Sequence, residues 1–220
     1  MSRVSKIKRD PNKVKSLLKS IARNTATTVE MSTFEKDIFE KEAKSISRTT
    51  VYDYMDVLNR QMILEDQPAW NTHLRSSHQL RKSPKRHYTD VALAVAALGA
   101  DENTLLDDLN FTGFLFESMV THDLRVYAQA NDAEVFHYRD ASDLEIDAIV
   151  QKHNGDWCAF EIKLGTKQID EAAHNLLRFA EKIDTSKQSA PRSLNIITGT
   201  GMTYTRKDGV NVISIGSLGR

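Results

Sequence analysis

The stretch LEIDAIVQKHNGDWCAFEIK, residues 144–163, constrains the fold more than any other. Its apolar residues recur at every second position, the period of a strand and not of a helix. In the first half Leu144, Ile146, Ala148 and Val150 are expected on one face, and Glu145, Asp147 and Ile149 on the other. In the second half Cys158, Phe160 and Ile162 share a face, opposite Trp157, Ala159, Glu161 and Lys163. Asn154-Gly155 between the halves tolerates positive φ and marks a tight turn. The two runs therefore pair as a hairpin that brings Asp147, Glu161 and Lys163 onto one face.

The elements around this hairpin alternate in type. A helix is expected over 112–129, strands over about 133–139, 144–150 and 157–163, a helix over 168–184, and strands over 193–198 and 210–215. In DEAAHNLLRFAEKI, Ala173, Leu176, Leu177, Ala180 and Ile183 form one apolar stripe suited to covering a sheet. LNIIT is a continuous apolar run, as in a strand buried on both faces. An α/β fold with a mixed sheet flanked by helices follows.

The first third reads differently. VKSLLKSIAR spaces Val14, Leu17, Leu18 and Ile21 at helical intervals, and a second helix covers 34–43, entered through Ser32 or Thr33. Ser47 caps a third helix whose Val51, Tyr54, Met55 and Leu58 form the stripe. MILEDQPAW then begins as a short strand. Three helices followed by a strand is the order of a winged helix-turn-helix. SPKRHYTD reads as an edge or extended segment because of Pro84, VALAVAAL as a short apolar helix, and 99–110 as a loop. The expected division is residues 1–80 for the winged helix and 81–220 for the α/β part.

Composition narrows the function classes. The 220 residues carry 30 basic and 30 acidic side chains, so there is no global field to attract nucleic acid. Basic residues do cluster locally at 1–20 and at 72–88, the latter with Arg75, Arg81, Lys82, Lys85 and Arg86, and such patches suit phosphate contacts or simply a solvated surface. No run is long and apolar enough to span a bilayer, and the start lacks a secretory pattern, so a cytoplasmic location is expected. The single cysteine, Cys158, excludes an intramolecular disulfide and reads as packing. His73, His78 and His87 fit no zinc spacing, His174 pairs with Asp170 on a helix surface, and GTGMTYT is a turn. On the third helix Arg48 and Arg60 are offset by Asp53 and Asp56, so a packing or protein-contact role is expected over specific DNA reading.

The carboxylates carry the chemistry. Glu117 borders the apolar stripe of Gly113, Phe116, Val120, Leu124 and Tyr127. Asp147 and Glu161 provide oxygen donors of the kind a hard divalent cation prefers, Mg²⁺ or Mn²⁺. Glu117 would hold a water or a second ion. Lys163 would position or deprotonate a water and stabilise charge developing on phosphate. Glu145 reads as a surface acid.

Asp147 followed across the hairpin by Glu161-Ile162-Lys163 resembles the PD-(D/E)XK nuclease motif, with Ile146 where the motif has proline. Glu117 is similar to the additional helix acid of many members, archaeal Holliday-junction resolvases included. TTVYDYMDVLNRQMIL, KSPKRHYTDVALA, GFLFESMV, YRDASDLEIDAIV and AFEIK together resemble the C-terminal half of predicted bacterial and archaeal AAA+ ATPases, which pairs a winged helix with a nuclease-like domain. The resemblance implies a restriction-endonuclease-like core and a metal-dependent nuclease acting on DNA, with Asp147 and Glu161 as metal ligands and Glu117 and Lys163 as catalytic residues. The chain has no G-x-x-x-x-G-K-[ST], so ATP hydrolysis is not expected, and the chain reads as a fragment or a shortened relative. Ala172, where the exonuclease branch would place tyrosine, loosens that closer tie. The competing expectation is a non-catalytic interaction or regulatory module of an ATPase-like protein, binding protein or DNA without cleavage. A sequence-specific regulator acting through the winged helix is the third.

Overall fold

The computed structural model describes residues 10–42, 46–71, 83–186 and 188–218, the side chains of 40–42 excepted. Helix α1 (Pro11–Arg23) starts where the Asp10 carboxylate accepts the Asn12 N–H and Pro11 occupies the first turn, a position that needs no donor. Helices α2 (Met31–Glu42) and α3 (Arg48–Arg60) follow, and Ser47 caps α3 by accepting from Thr50 N–H, as expected. Leu17, Ile21, Phe34, Ile38, Val51, Met55 and Leu58 interlock as one core between the three helices.

Strands β1 (Leu64–Gln67) and β2 (Lys85–Tyr88) pair antiparallel, from Leu64↔Tyr88 to Gln67↔Lys85. All four β2 residues are buried. Helix α4 (Val91–Leu98), capped by Asp90, then packs against α1, and Tyr88 and Ala94 join the helical core. The expected division after residue 80 falls in 72–82, outside the described residues, together with His73, His78, Arg75, Arg81 and Lys82. Residues 85–98 pack with the helices that precede them.

The second half begins with α5 (Glu102–Asp107), a short helix within the span expected to be a loop, and the long α6 (Leu109–Gln129). Strands β3 (Ala133–Arg139), β4 (Glu145–Lys152) and β5 (Trp157–Lys163) form a meander in which β4 runs antiparallel to both neighbours; Gly155, at φ +89°, makes the expected turn. Helix α7 (Ile169–Lys182) leads to β6 (Ser193–Thr198), then β7 (Tyr204–Thr205) and β8 (Asn211–Ser214). The six strands order as β3-β4-β5-β6-β8-β7, with β5, β6 and β8 parallel. Helix α7 covers Trp157, Ala159 and Ile196 on one face; α6 covers Ala148, Ile162 and Ile197 on the other. The expected mixed sheet flanked by helices is what forms.

One local expectation fails, and it fails at the centre. Phe136 faces Ile149 and Tyr138 faces Ile146, two steps along β3 against three along β4. The extra residue lies in β4 between Ile146 and Ile149, a β-bulge. Strict alternation is therefore lost: Leu144, Ile146 and Ile149 all enter the α7-side core, while Ala148 and Val150 face α6. Bulges bend a strand and re-aim side chains. Here the bulged segment contains Asp147. Among the described residues no helix is long and apolar enough to cross a membrane.

Candidate functional site

The pairing of β4 with β5 runs from Gln151↔Trp157 to Ala148↔Phe160 and goes no further. Beyond it the strands part. The carboxylate of Asp147 bridges the gap: Oδ2 accepts the Ile162 N–H at 2.8 Å and Lys163 Nζ at 3.1 Å. Lys163 Nζ also lies 2.5 Å from Glu161 Oε2. The three residues expected to act together are thus in contact.

Glu117 joins them through a residue expected elsewhere. Lys85 Nζ donates to Glu117 Oε1 at 2.7 Å, lies 2.6 Å from Glu145 Oε1, and approaches Asp147 Oδ1 to 3.7 Å. Its side chain is only 2% exposed. Lys85 is therefore not part of a phosphate-facing basic patch, and neither is Arg86, which is buried over the Phe34 ring and donates to Val29 O. Glu145 is not a free surface acid either, since it holds Lys85 from the rim.

Lys85 reaches the acids because β1 and β2 dock on the sheet half. Gln67 Nε2 donates to Phe136 O and to Asp147 O, which turns its amide oxygen towards His87. His87 Nε2 must then donate to Gln67, leaving Nδ1 to accept from Ser118 Oγ on α6. Burial, with Lys85, Arg125 and His137 nearby, lowers the His87 pKa far below its usual range and keeps the ring neutral. Glu65 adds contacts to His122 and Arg125 of α6.

Charge sets the state of each group. Burial alone would lower the pKa of Lys85 and Lys163, but the surrounding carboxylates overcome it and raise both, so both remain ammonium ions. Burial and the Asp147 charge push Glu117 up to about 7 against the pull of Lys85. The same two causes raise Glu161 well above the carboxylate range despite Lys163. Asp147 moves the other way: burial opposes, but Lys163, Lys85 and the Ile162 N–H lower it. A divalent cation bound beside these groups would favour the ionised forms of Glu117 and Glu161, and with every group ionised four carboxylates against two ammoniums carry a formal charge of −2.

The donor set suits such a cation on the Asp147–Glu161 side. Glu161 Oε1 is buried and has no hydrogen-bond partner among the described residues. A buried carboxylate oxygen without a donor is costly and points to a missing electropositive neighbour. A pocket of about 240 Å³ opens there, walled by Glu145, Asp147, Glu161, Lys163 and, from α7, Asn175 and Arg178. Among the described residues no group of three His, Cys, Asp or Glu side chains stands ready to hold a metal. The reason is visible in the distances: ammonium groups sit between the carboxylates.

The structure brings Asp147, Glu161, Lys163 and Glu117 together, and adds Lys85 and Arg178, which the sequence does not single out. The signal for Lys85 was indirect, its place in KSPKRHYTDVALA, one of the stretches that carry the resemblance. Asp170, expected beside His174, instead meets Arg206 at 2.6 Å.

Residues 112–218 match the model of a domain of unknown function, DUF4143, and residues 1–104 match that of a second, DUF8612. No curated protein matches the chain. Among solved structures, a chain from the refined half-complex of the tetradecameric assembly of Thermococcus gammatolerans McrB AAA+ hexamers with bound McrC is similar over 91% of this chain and 70% of that one. Identity is 12% and the TM-score 0.32, a likeness that carries no argument about fold or function.

Proposed function

We propose that the chain is a divalent-metal-dependent phosphodiesterase acting on DNA, with its site where β4 and β5 part, in a PD-(D/E)XK-type domain behind a winged helix. The observation that carries this reading is the buried Glu161 Oε1, which has no hydrogen-bond partner among the described residues and belongs to a residue that lines one pocket with Asp147 and Lys163. Asp147 and Glu161 would hold the ion. A bound Mg²⁺ or Mn²⁺ would supply Lewis acidity to a phosphate oxygen and acidify a water.

The chain's own groups do the rest. Asp147 is fixed by the Ile162 N–H, so its carboxylate does not swing. Lys163, held as an ammonium, is suited to hold a water by donation and to stabilise negative charge developing on phosphate, and not to abstract a proton. Glu117 acts at one remove, by fixing Lys85. Exposed Arg178 at the pocket edge can take a neighbouring phosphate of the backbone.

Calorimetric titration of Mn²⁺ and Mg²⁺ into the protein and into Asp147→Ala tests the reading. Binding lost in the variant, with Mn²⁺-dependent cleavage of single-stranded, duplex or branched DNA, is expected. Absence of both binding and cleavage would overturn it. A second reading draws on the two lysines that already neutralise much of the cluster: a non-catalytic module that binds DNA, or a protein such as an AAA+ ATPase module, without cutting. Tight DNA or protein binding unaffected by Asp147→Ala and by metal chelation would favour it.

A further inference from the structure

The reading above leaves one buried charge without a task. A lysine removed from water costs several kcal/mol unless carboxylates surround it. Lys85 meets that condition through three oxygens, Glu117 Oε1 and Glu145 Oε1 at 2.7 and 2.6 Å and Asp147 Oδ1 at 3.7 Å. Those oxygens come from α6 and β4, within residues 112–218 matched by one family model. The lysine comes from β2, within residues 1–104 matched by the other. Its backbone is pinned opposite Gln67, and Gln67 in turn is bonded to the Asp147 carbonyl. The ammonium is therefore not a surface charge that has folded inwards but one delivered to the carboxylates by the paired strands β1 and β2.

Three carboxylate oxygens converging from two elements are the donor type a hard cation takes. We propose that Lys85 is a built-in cation standing in for a second metal ion. It holds Glu117, Glu145 and Asp147 together and leaves room for one exchangeable ion, on the Asp147–Glu161 side. Lys85 is a positioning residue: it acts through Asp147, and the N-terminal half thereby completes the site of the C-terminal half. This inference rests on the metal-dependent reading, and the test separates the two.

The full chain is titrated with Mn²⁺ by calorimetry and by the electron paramagnetic resonance of bound Mn²⁺, for the wild type, Lys85→Ala and Lys85→Met. The wild type is expected to bind one Mn²⁺ with no spin-coupled pair. Lys85→Ala opens space among three carboxylates and should bind a second Mn²⁺; millimolar Mn²⁺ should restore most of its lost melting temperature. Lys85→Met fills that space without charge and should gain neither the second ion nor the rescue. A coupled pair of ions in the wild type overturns the proposal without needing any variant to fold. So does a folded Lys85→Ala with wild-type stoichiometry and no Mn²⁺ rescue, which would make Lys85 a structural counter-ion only. Failure of the metal-dependent reading looks different: the wild type binds no Mn²⁺ at all, while Lys85→Ala gaining an ion would still support the stand-in role.

Discussion

At the turn end of the β4–β5 hairpin Trp157 packs against Trp70 at 4.8 Å and Phe179 at 5.7 Å between ring centres, with Tyr138 completing the group. At the open end of the same two strands Asp147, Glu161 and Lys163 meet Glu145, Glu117 and Lys85. Both ends are buried, yet they are held by different forces. The aromatic end removes large apolar surfaces from water, and the indole N–H groups are satisfied by Ser189 O and Gln151 Oε1. The charged end buries Lys85, Glu117, Asp147 and Glu161 and half-buries Glu145 and Lys163, and a buried ion pair seldom outperforms well-packed hydrocarbon. One end stabilises the fold; the other is tolerated by it. That contrast is the physical ground for looking for function at the open end.

The contrast breaks if the turn end proves dispensable. Trp157→Ala should cost about 3–5 kcal/mol, the range for deleting a buried aromatic side chain. Where the variant still folds, its Mn²⁺ binding should be that of the wild type, since Trp157 stands at the turn end of the strands and the charged groups at the open end. Denaturant unfolding beside calorimetry checks both parts. A loss of ion binding without a loss of stability would mean that the two ends are not separable.

Breaking the charged end should be equally severe for the opposite reason. Lys85→Met leaves buried carboxylates without their cation and should cost about 3–5 kcal/mol. Adding Glu117→Leu to Lys85→Met removes one of those orphaned charges and should return a good part of the loss. No such recovery is available for Trp157→Ala, because a missing volume cannot be offset by deleting a partner. If the double variant is less stable than Lys85→Met, the ion pair is a net stabiliser and the contrast between the ends weakens.

The turn end was also the more legible one. Period-two alternation and Asn154-Gly155 suffice to place β5 and the turn, because local backbone preference and tertiary packing agree there. Alternation misplaces Leu144 and Ile146 relative to Ala148 because a bulge inserts one residue, and nothing in EIDA announces it. Ser47 was readable as a cap because its hydrogen bond is local. Phe179 was missed from the α7 stripe, though it is fully buried. Lys85 was unreadable as a site residue for a different reason: KRHY has three basic side chains and looks solvated, and its burial arises only when α6 and β4 close over it. Residues 32 positions apart in Lys85–Glu117 meet through tertiary structure alone.

His87 gives a smaller effect with a pH signature. Its folded pKa lies well below 6.5, so between these values the unfolded chain binds a proton that the fold refuses. Stability is unaffected by this group above about pH 6.5 and falls below it, by about 1.4 kcal/mol for each pH unit until the folded pKa is reached. The ring joins Gln67 to Ser118, so the loss should appear as loosening between the β1–β2 pair and α6. His87→Gln should flatten this limb of the stability profile relative to wild type between pH 6.5 and 5. An unchanged slope would mean that the acid sensitivity comes from the carboxylates and not from this contact.

The smallest effects are expected on α3, where charge is dealt with in the ordinary way. Arg60 pairs with Asp56 at 2.9 Å, both well exposed, and Arg48 meets Glu35 only at 3.8 Å. Arg60→Ala or Arg48→Ala should shift stability by less than about 0.5 kcal/mol. Because the fold does not notice them, these substitutions cleanly test whether α3 touches DNA. A phosphate contact at either arginine would weaken duplex binding and lower its salt slope by about one on substitution. With DNA held at the open end of the hairpin, both variants should bind as the wild type does, while Arg178→Ala at the pocket edge lowers affinity and slope together. The reverse pattern would move the DNA to the helical half and leave the buried carboxylates and lysines as a joint between the two halves.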